Sequence, residues 1–192
     1  DDLRVCAPDG QVLCGPLTFT IAAGEQIALV GQSGAGKTAL MNALLGFLPY
    51  QGSLKANGVE LRDIRRSDWH QQLSWVGQNP QLPASTLRDN IVMNAVWDSE
   101  RFAMLLESCG INEFLPRLPR GIETHPGDGV NQLIVGQTQL VAVARALYKS
   151  SHLFLLDAPA ARLHVLDERH VMLAQTSASA GQTLLIIPQQ IA

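Results

Sequence analysis

The chain has 192 residues and a net charge of −3; 46% of its residues are hydrophobic and 16% are charged. That balance affords a sizeable core in one domain and excludes wholesale disorder. It also carries no basic block for nucleic acid and no run near the ~18 apolar residues of a membrane span, and its opening residues are not expected to be a signal peptide.

The first turn signal is Pro8-Asp9-Gly10, in a stretch expected to be an N-terminal antiparallel β portion. Short β-rich runs follow at 17–21 (LTFTI) and 26–30 (QIALV), then a helical pattern at 37–47. A further strand is expected at 73–76 (LSWV). From about 79 to 150 the chain has Pro-bounded turns and helical patterns at 100–109 and 136–149, but no convincing buried strand. It reads as a mainly helical subdomain inserted between two parts of a core, 1–78 and 151–192. The last strands are expected at 153–156 (LFLL) and 184–187 (LLII). Short apolar strands alternating with helices argue for an α/β fold with a mainly parallel sheet covered on both faces. The chain starts on Asp1 rather than Met, so a piece of a longer polypeptide is expected. Cys6, Cys14 and Cys109 are scattered and read as reduced thiols, and no histidine has metal-ligand spacing with a cysteine.

The strongest motif is GQSGAGKT at 31–38, an apolar strand before it and a helical pattern after it. Gly31, Gly34 and Gly36 let the backbone turn successive N–H groups inward, together with Gln32, Ser33 and Ala35. The helix that follows, from Lys37 through Thr38 and Ala39, aims its positive dipole end at the same point. Lys37 adds a point charge for the outer phosphates, and the Thr38 hydroxyl can ligate Mg²⁺. A P-loop of this kind needs a second carboxylate at a neighbouring strand end, and Asp157 after LFLL fits that place. The fold class is therefore a P-loop NTPase core.

Two further stretches narrow the family. LSWVGQNP at 73–80 runs a strand into Gln78, and LIVGQTQLVAVARAL at 133–147 precedes the Asp157 strand. In this order the chain resembles the nucleotide-binding domain of an ATP-binding cassette (ABC) transporter over nearly its whole length. TLRDNI at 86–91 and ETHPGD at 123–128 resemble the exporter-type subset. Within it, the similarity runs toward heterodimeric exporters of cysteine and glutathione that serve cytochrome bd assembly. The resemblance implies ATP and Mg²⁺ as ligands, with Thr38, Gln78 and Asp157 around the metal. It implies a second nucleotide-binding domain, of a different chain, paired head to tail. Val135, Gly136 and Gln137 would then be offered to the partner's nucleotide. It also implies transmembrane domains, absent from this chain, at the cytoplasmic face of a bacterial inner membrane.

Departures from the family pattern cluster on catalysis. The family's water-directing Glu falls on Ala158, which has no acceptor, and its switch His on Pro188, which has neither a side-chain donor nor an N–H. Gln189 is the nearest polar substitute. The signature serine is Ile134, the loop after Asp157 reads Arg162-Leu163-His164, and the adenine-stacking aromatic falls near Ala7. Two readings follow: a degenerate cassette that binds MgATP while its partner hydrolyses, or a chain in which neither composite site turns over. A small-molecule kinase is disfavoured by the signature run, and a soluble ABC ATPase by the lack of twin cassettes or coiled-coil insertions. A non-catalytic, ATP-gated assembly module stays open. Trp69, Trp75 and Trp97 read as packing residues, Pro80 and Pro83 as shaping the linker after Gln78. Arg145 reads either as paired with an acid or as solvated.

Overall fold

Four short strands pair in parallel in the computed structural model, which describes residues 1–83, 85–127, 133–157 and 182–188. They are β3 (Gln26–Ala28), β7 (Leu73–Val76), β8 (Leu153–Asp157) and β9 (Thr183–Ile187), in the order β3-β9-β8-β7. The register runs Gln26↔Leu184 on one side of β9 and Asp157↔Ile187 on the other. β8 is apolar over four consecutive positions because both of its faces are covered. Its side chains alternate between the two faces. Phe154 and Leu156, with Leu184 and Val76, join one cluster, while Leu155, with Leu185, Ile187 and Leu73, joins another.

Helix α1 (Lys37–Leu44) serves two cores. Met41 packs toward the parallel sheet, and Leu40 and Ala43 pack against Leu3 and Val5 of a second sheet. That sheet is antiparallel, ordered β2-β1-β4, from β1 (Leu3–Cys6), β2 (Val12–Leu17) and β4 (Tyr50–Gln51). A two-strand hairpin, β5 (Lys55–Ala56) with β6 (Val59–Glu60), and the short α2 (Arg66–Gln71) complete this half. The other face of the parallel sheet is covered by α3 (Leu87–Val92), α4 (Ser99–Ser108) and α5 (Val135–Tyr148). No strand lies between β7 and β8 among the described residues. The α3–α5 helices and the sheet share one apolar cluster, running from Leu87, Leu105 and Val143 to Phe154.

Two expectations need correction. The run 17–21 is not a strand; the strand is Val12–Leu17, because the antiparallel ladder with β1 ends at Leu3↔Leu17. The helix expected over 37–47 stops at Leu44. Gly46 takes φ 78°, its N–H bonds the Ala43 carbonyl, and the Phe47 N–H bonds the Asn42 carbonyl. That six-to-one, five-to-two pattern closes a helix C-terminus with glycine just past the cap.

Among the described residues no helix is long and apolar enough to cross a membrane. Cys6 and Cys109 are buried free thiols, and burial pushes Cys109 up to about 12.

Candidate nucleotide site

The parallel sheet delivers its predicted residues to one edge. β3 runs into the loop at 31–36, β7 into Gln78, β8 ends on Asp157, and β9 is followed by Pro188. In open parallel sheets this carboxyl edge is where ligands bind. β9 lies between β3 and β8, so Asp157 stands two strand spacings, ~10 Å, across the sheet from the loop's strand.

The loop itself is a cradle. Gly34 and Gly36 have φ of 80° and 86°, the left-handed region open to glycine at little cost. At Gly36 a second reason applies: an added Cβ would sit 2.7 Å from the Cys14 Cβ and closer still to the Leu13 carbonyl oxygen. β2 thus backs directly onto the start of α1. Gly36 is the α1 N-cap, with no side-chain cap bond and no acidic residue in the first turn, so the cap itself offers those amides no acceptor. Lys37 folds over the loop, its Nζ donating to the carbonyls of Gly31 at 2.6 Å and Gln32 at 2.8 Å. Gln32, Ser33, Gly34, Ala35 and Thr38 are exposed; Gly31 and Ala39 are half-buried.

Asp157 is only 4% exposed, and Gln78 Nε2 donates to its Oδ1 at 3.2 Å. Gln78 is itself held from behind. Gln139 Nε2 on α5 donates to the Gln78 carbonyl at 3.3 Å, and Arg145 Nη1, six residues along the same helix, to the Gln81 carbonyl at 3.2 Å. Arg145 thus bonds a carbonyl, no ion pair to it is found among the described residues, and partial burial lowers its pKa. The sequence reading missed Gln139. The available signal was a polar residue four and seven positions before the buried Val143 and Ala146 in an apolar helix.

Val135, Gly136 and Gln137 form the first turn of α5, just before Gln139. Gln137 Oε1 accepts from the Ile134 N–H at 3.1 Å, half of a capping box; Ile134 has no acceptor to return the bond. Ile134 and Val135 are 63% and 64% exposed. The two exporter-like stretches meet: Arg88 pairs with Glu123 at 2.5 Å, and the Leu87 N–H bonds the Thr124 carbonyl. Thr86 caps α3 through the Asp89 N–H, and Asn90 Nδ2 bonds the Pro83 carbonyl, anchoring the segment after Gln78. Trp69, on α2, packs against the Met41 and Leu73 cluster and donates its Nε1 to the Leu44 carbonyl; Trp75 and Trp97 contact Phe47 and Phe102 but stay half exposed. Ala7 lies at the β1–β2 turn. Ala158, Gln189 and Arg162-Leu163-His164 lie outside the described residues.

These groups fit a Mg²⁺-nucleotide: exposed amides and an ammonium for phosphate, and a hydroxyl, an amide and a buried carboxylate of the oxygen type that magnesium takes. The family model described as ABC transporter matches residues 14–161. The chain is 50% identical over its whole length to the glutathione/L-cysteine transport system ATP-binding/permease protein CydD of Escherichia coli K12, covering 33% of that protein. It is 46% identical, over 96% of its length, to the transport ATP-binding protein AarD of Providencia stuartii, covering 32% of it. It is 44% identical over its whole length to CydD of Haemophilus influenzae, covering 32% of that protein. The chain thus spans about a third of the length of the curated relatives it matches. On the matched family model and the 50% identity, this chain belongs to the ABC transporter family, whose domains are ATPases that bind ATP, generally with Mg²⁺, and serve transport.

Proposed function

We propose that this chain is the ATP-binding domain of a CydD-like exporter of glutathione and cysteine at the cytoplasmic face of a bacterial inner membrane. In this reading 1–78 and 151–192 form the ATP-binding core and 79–150 the signature-bearing part. Transmembrane domains belong to the same full-length polypeptide, and a CydC-like chain supplies the second ATP-binding domain. The relatives' description as ATP-binding/permease proteins supports the fused arrangement.

The loop from Gly31 to Ala39 grips the outer phosphates, with Lys37 exchanging its two carbonyl contacts for phosphate oxygens. Thr38, Gln78 and Asp157 would hold Mg²⁺, which when bound supplies neutralisation of phosphate charge. Val135, Gly136 and Gln137 offer first-turn amides to the nucleotide of the opposite subunit. Hydrolysis at this chain's own loop is weak: at the positions of the water-directing Glu and the switch His, Ala158 and Pro188 offer neither an acceptor nor a donor.

The observation that supports the reading most is the Gln78–Asp157 contact at the sheet edge that also receives the P-loop. Calorimetric MgATP titration of the assembled transporter tests it. Lys37→Ala is expected to weaken binding at this site by roughly 10- to 150-fold, the loss of one charge-assisted hydrogen bond. Absence of MgATP binding in the parent, or indifference to Lys37→Ala, would overturn it.

A second reading, an ATP-gated assembly module, is favoured by Pro188, which follows the partner strand of Asp157 at the same edge. Nucleotide-dependent dimerisation without phosphate release would select it.

A further inference from the structure

Among the described residues Asn90 and Gln139 are both fully buried and half satisfied, and of the two it is Gln139 that bonds the Gln78 backbone itself. Gln139 is 1% exposed. Its Nε2 donates to the Gln78 carbonyl at 3.3 Å, and its Oε1 is buried without a hydrogen-bond partner. A buried carbonyl without a donor is a cost that an apolar residue of the same volume would not incur. Gln139 lies four residues, ~6 Å along the axis, after Val135, the first residue of α5, and directly follows the turn that carries Gly136 and Gln137. From Gln139 the connection is short: its amide holds the Gln78 backbone, and the Gln78 side chain holds Asp157 Oδ1 at 3.2 Å. Arg145 fixes the next part of the same loop at the Gln81 carbonyl, so α5 meets the loop at two points.

We propose that Gln139 is a positioning residue that ties the start of α5 to the Gln78 backbone, so that what engages α5 sets how Gln78 addresses Asp157. The proposal rests on the ABC exporter reading above. The unused Oε1 gives the side chain an acceptor for a second loop position, in which a loop N–H would reach it. Gln139 acts through Gln78 and touches no nucleotide.

The test uses the assembled transporter carrying Gln139→Met, close in length and apolar, with Gln139→Leu as a second variant should the first fail to assemble. Hydrogen exchange is measured without nucleotide on the amides of residues 78, 79, 81 and 82. ATP turnover and KM at this chain's own P-loop, read by single-turnover hydrolysis of MgATP bound there, are measured alongside melting temperature. The expected result is exchange at those amides faster by about tenfold, the loss of one hydrogen bond. Turnover falls by about tenfold at a KM within threefold of the parent, with no loss of melting temperature. Unchanged loop exchange would overturn the proposal. So would exchange accelerated throughout the chain with a lower melting temperature, or a raised KM at unchanged turnover. A parent that binds no MgATP contradicts the exporter reading itself; a parent that binds it while the loop is indifferent to Gln139 contradicts this role alone.

Discussion

Gly34 and Gly36 carry the same backbone demand but different surroundings, and an alanine at each separates the two. Both have φ near 80°, so a Cβ costs ~1–2 kcal/mol of left-handed strain at either position. At Gly34 nothing lies within 4 Å of the added carbon. At Gly36 it meets the Cys14 Cβ at 2.7 Å and Cα at 3.2 Å, besides the Leu13 carbonyl oxygen. Two of those three atoms are backbone and cannot rotate away, so overpacking adds about 1–3 kcal/mol. Gly34→Ala should therefore cost ~1–2 kcal/mol and Gly36→Ala ~2–5 kcal/mol. At ~2–4 °C per kcal/mol for a chain of this size, melting falls by roughly 2–8 °C and 4–20 °C respectively. Differential scanning fluorimetry of the two variants beside the parent reads the difference. Equal melting temperatures, or Gly36→Ala within about 1 °C of the parent, would refute the packing of β2 against the start of α1.

Two other perturbations follow from buried or hydrogen-bonded polar groups. Ser74 and Ser151 share a buried hydroxyl contact at 2.6 Å. Ser74→Ala should cost about 1–2 kcal/mol in urea unfolding, and the double alanine variant less than the sum of the singles, since both remove the same bond. The Tyr50 hydroxyl, the Leu54 N–H and Ser53 hold the Glu60 carboxyl well below its ordinary 4.5, at about 2. Because the folded value is the lower one, this stabilisation is complete above pH 4.5 and is lost as pH falls toward 2. Glu60→Gln should thus be less stable than the parent at pH 7, with the gap closing progressively below pH 4.5; a gap constant down to pH 2.5 would contradict the assignment.

The P-loop was legible because its chemistry is local: eight consecutive residues carry the glycines, the ammonium and the hydroxyl, and the flanking strand and helix lie where the motif requires. The Asp157 strand was legible because a strand buried on both faces is continuously apolar. What stayed hidden depends on partners distant in sequence. The strand boundary at Leu17 is set by its pairing with Leu3, and nothing in LTFTI itself announces that limit. The insertion of β9 between β3 and β8 separates the P-loop strand from the Asp157 strand and has no local signature. Gln139 and Arg145 resemble ordinary polar residues of an amphipathic helix until the loop they hold, 61 and 64 residues earlier, is folded against them.

The central claim is that this chain's own site binds MgATP and hydrolyses it slowly. Single-turnover hydrolysis of MgATP bound at this P-loop in the assembled transporter, with and without Ala158→Glu and Pro188→His, measures it directly. The account predicts hydrolysis ~10²–10⁴-fold below a site with both groups and a clear rise when both are restored. Near-normal turnover at this site in the parent, or restoration without any rise, would contradict it.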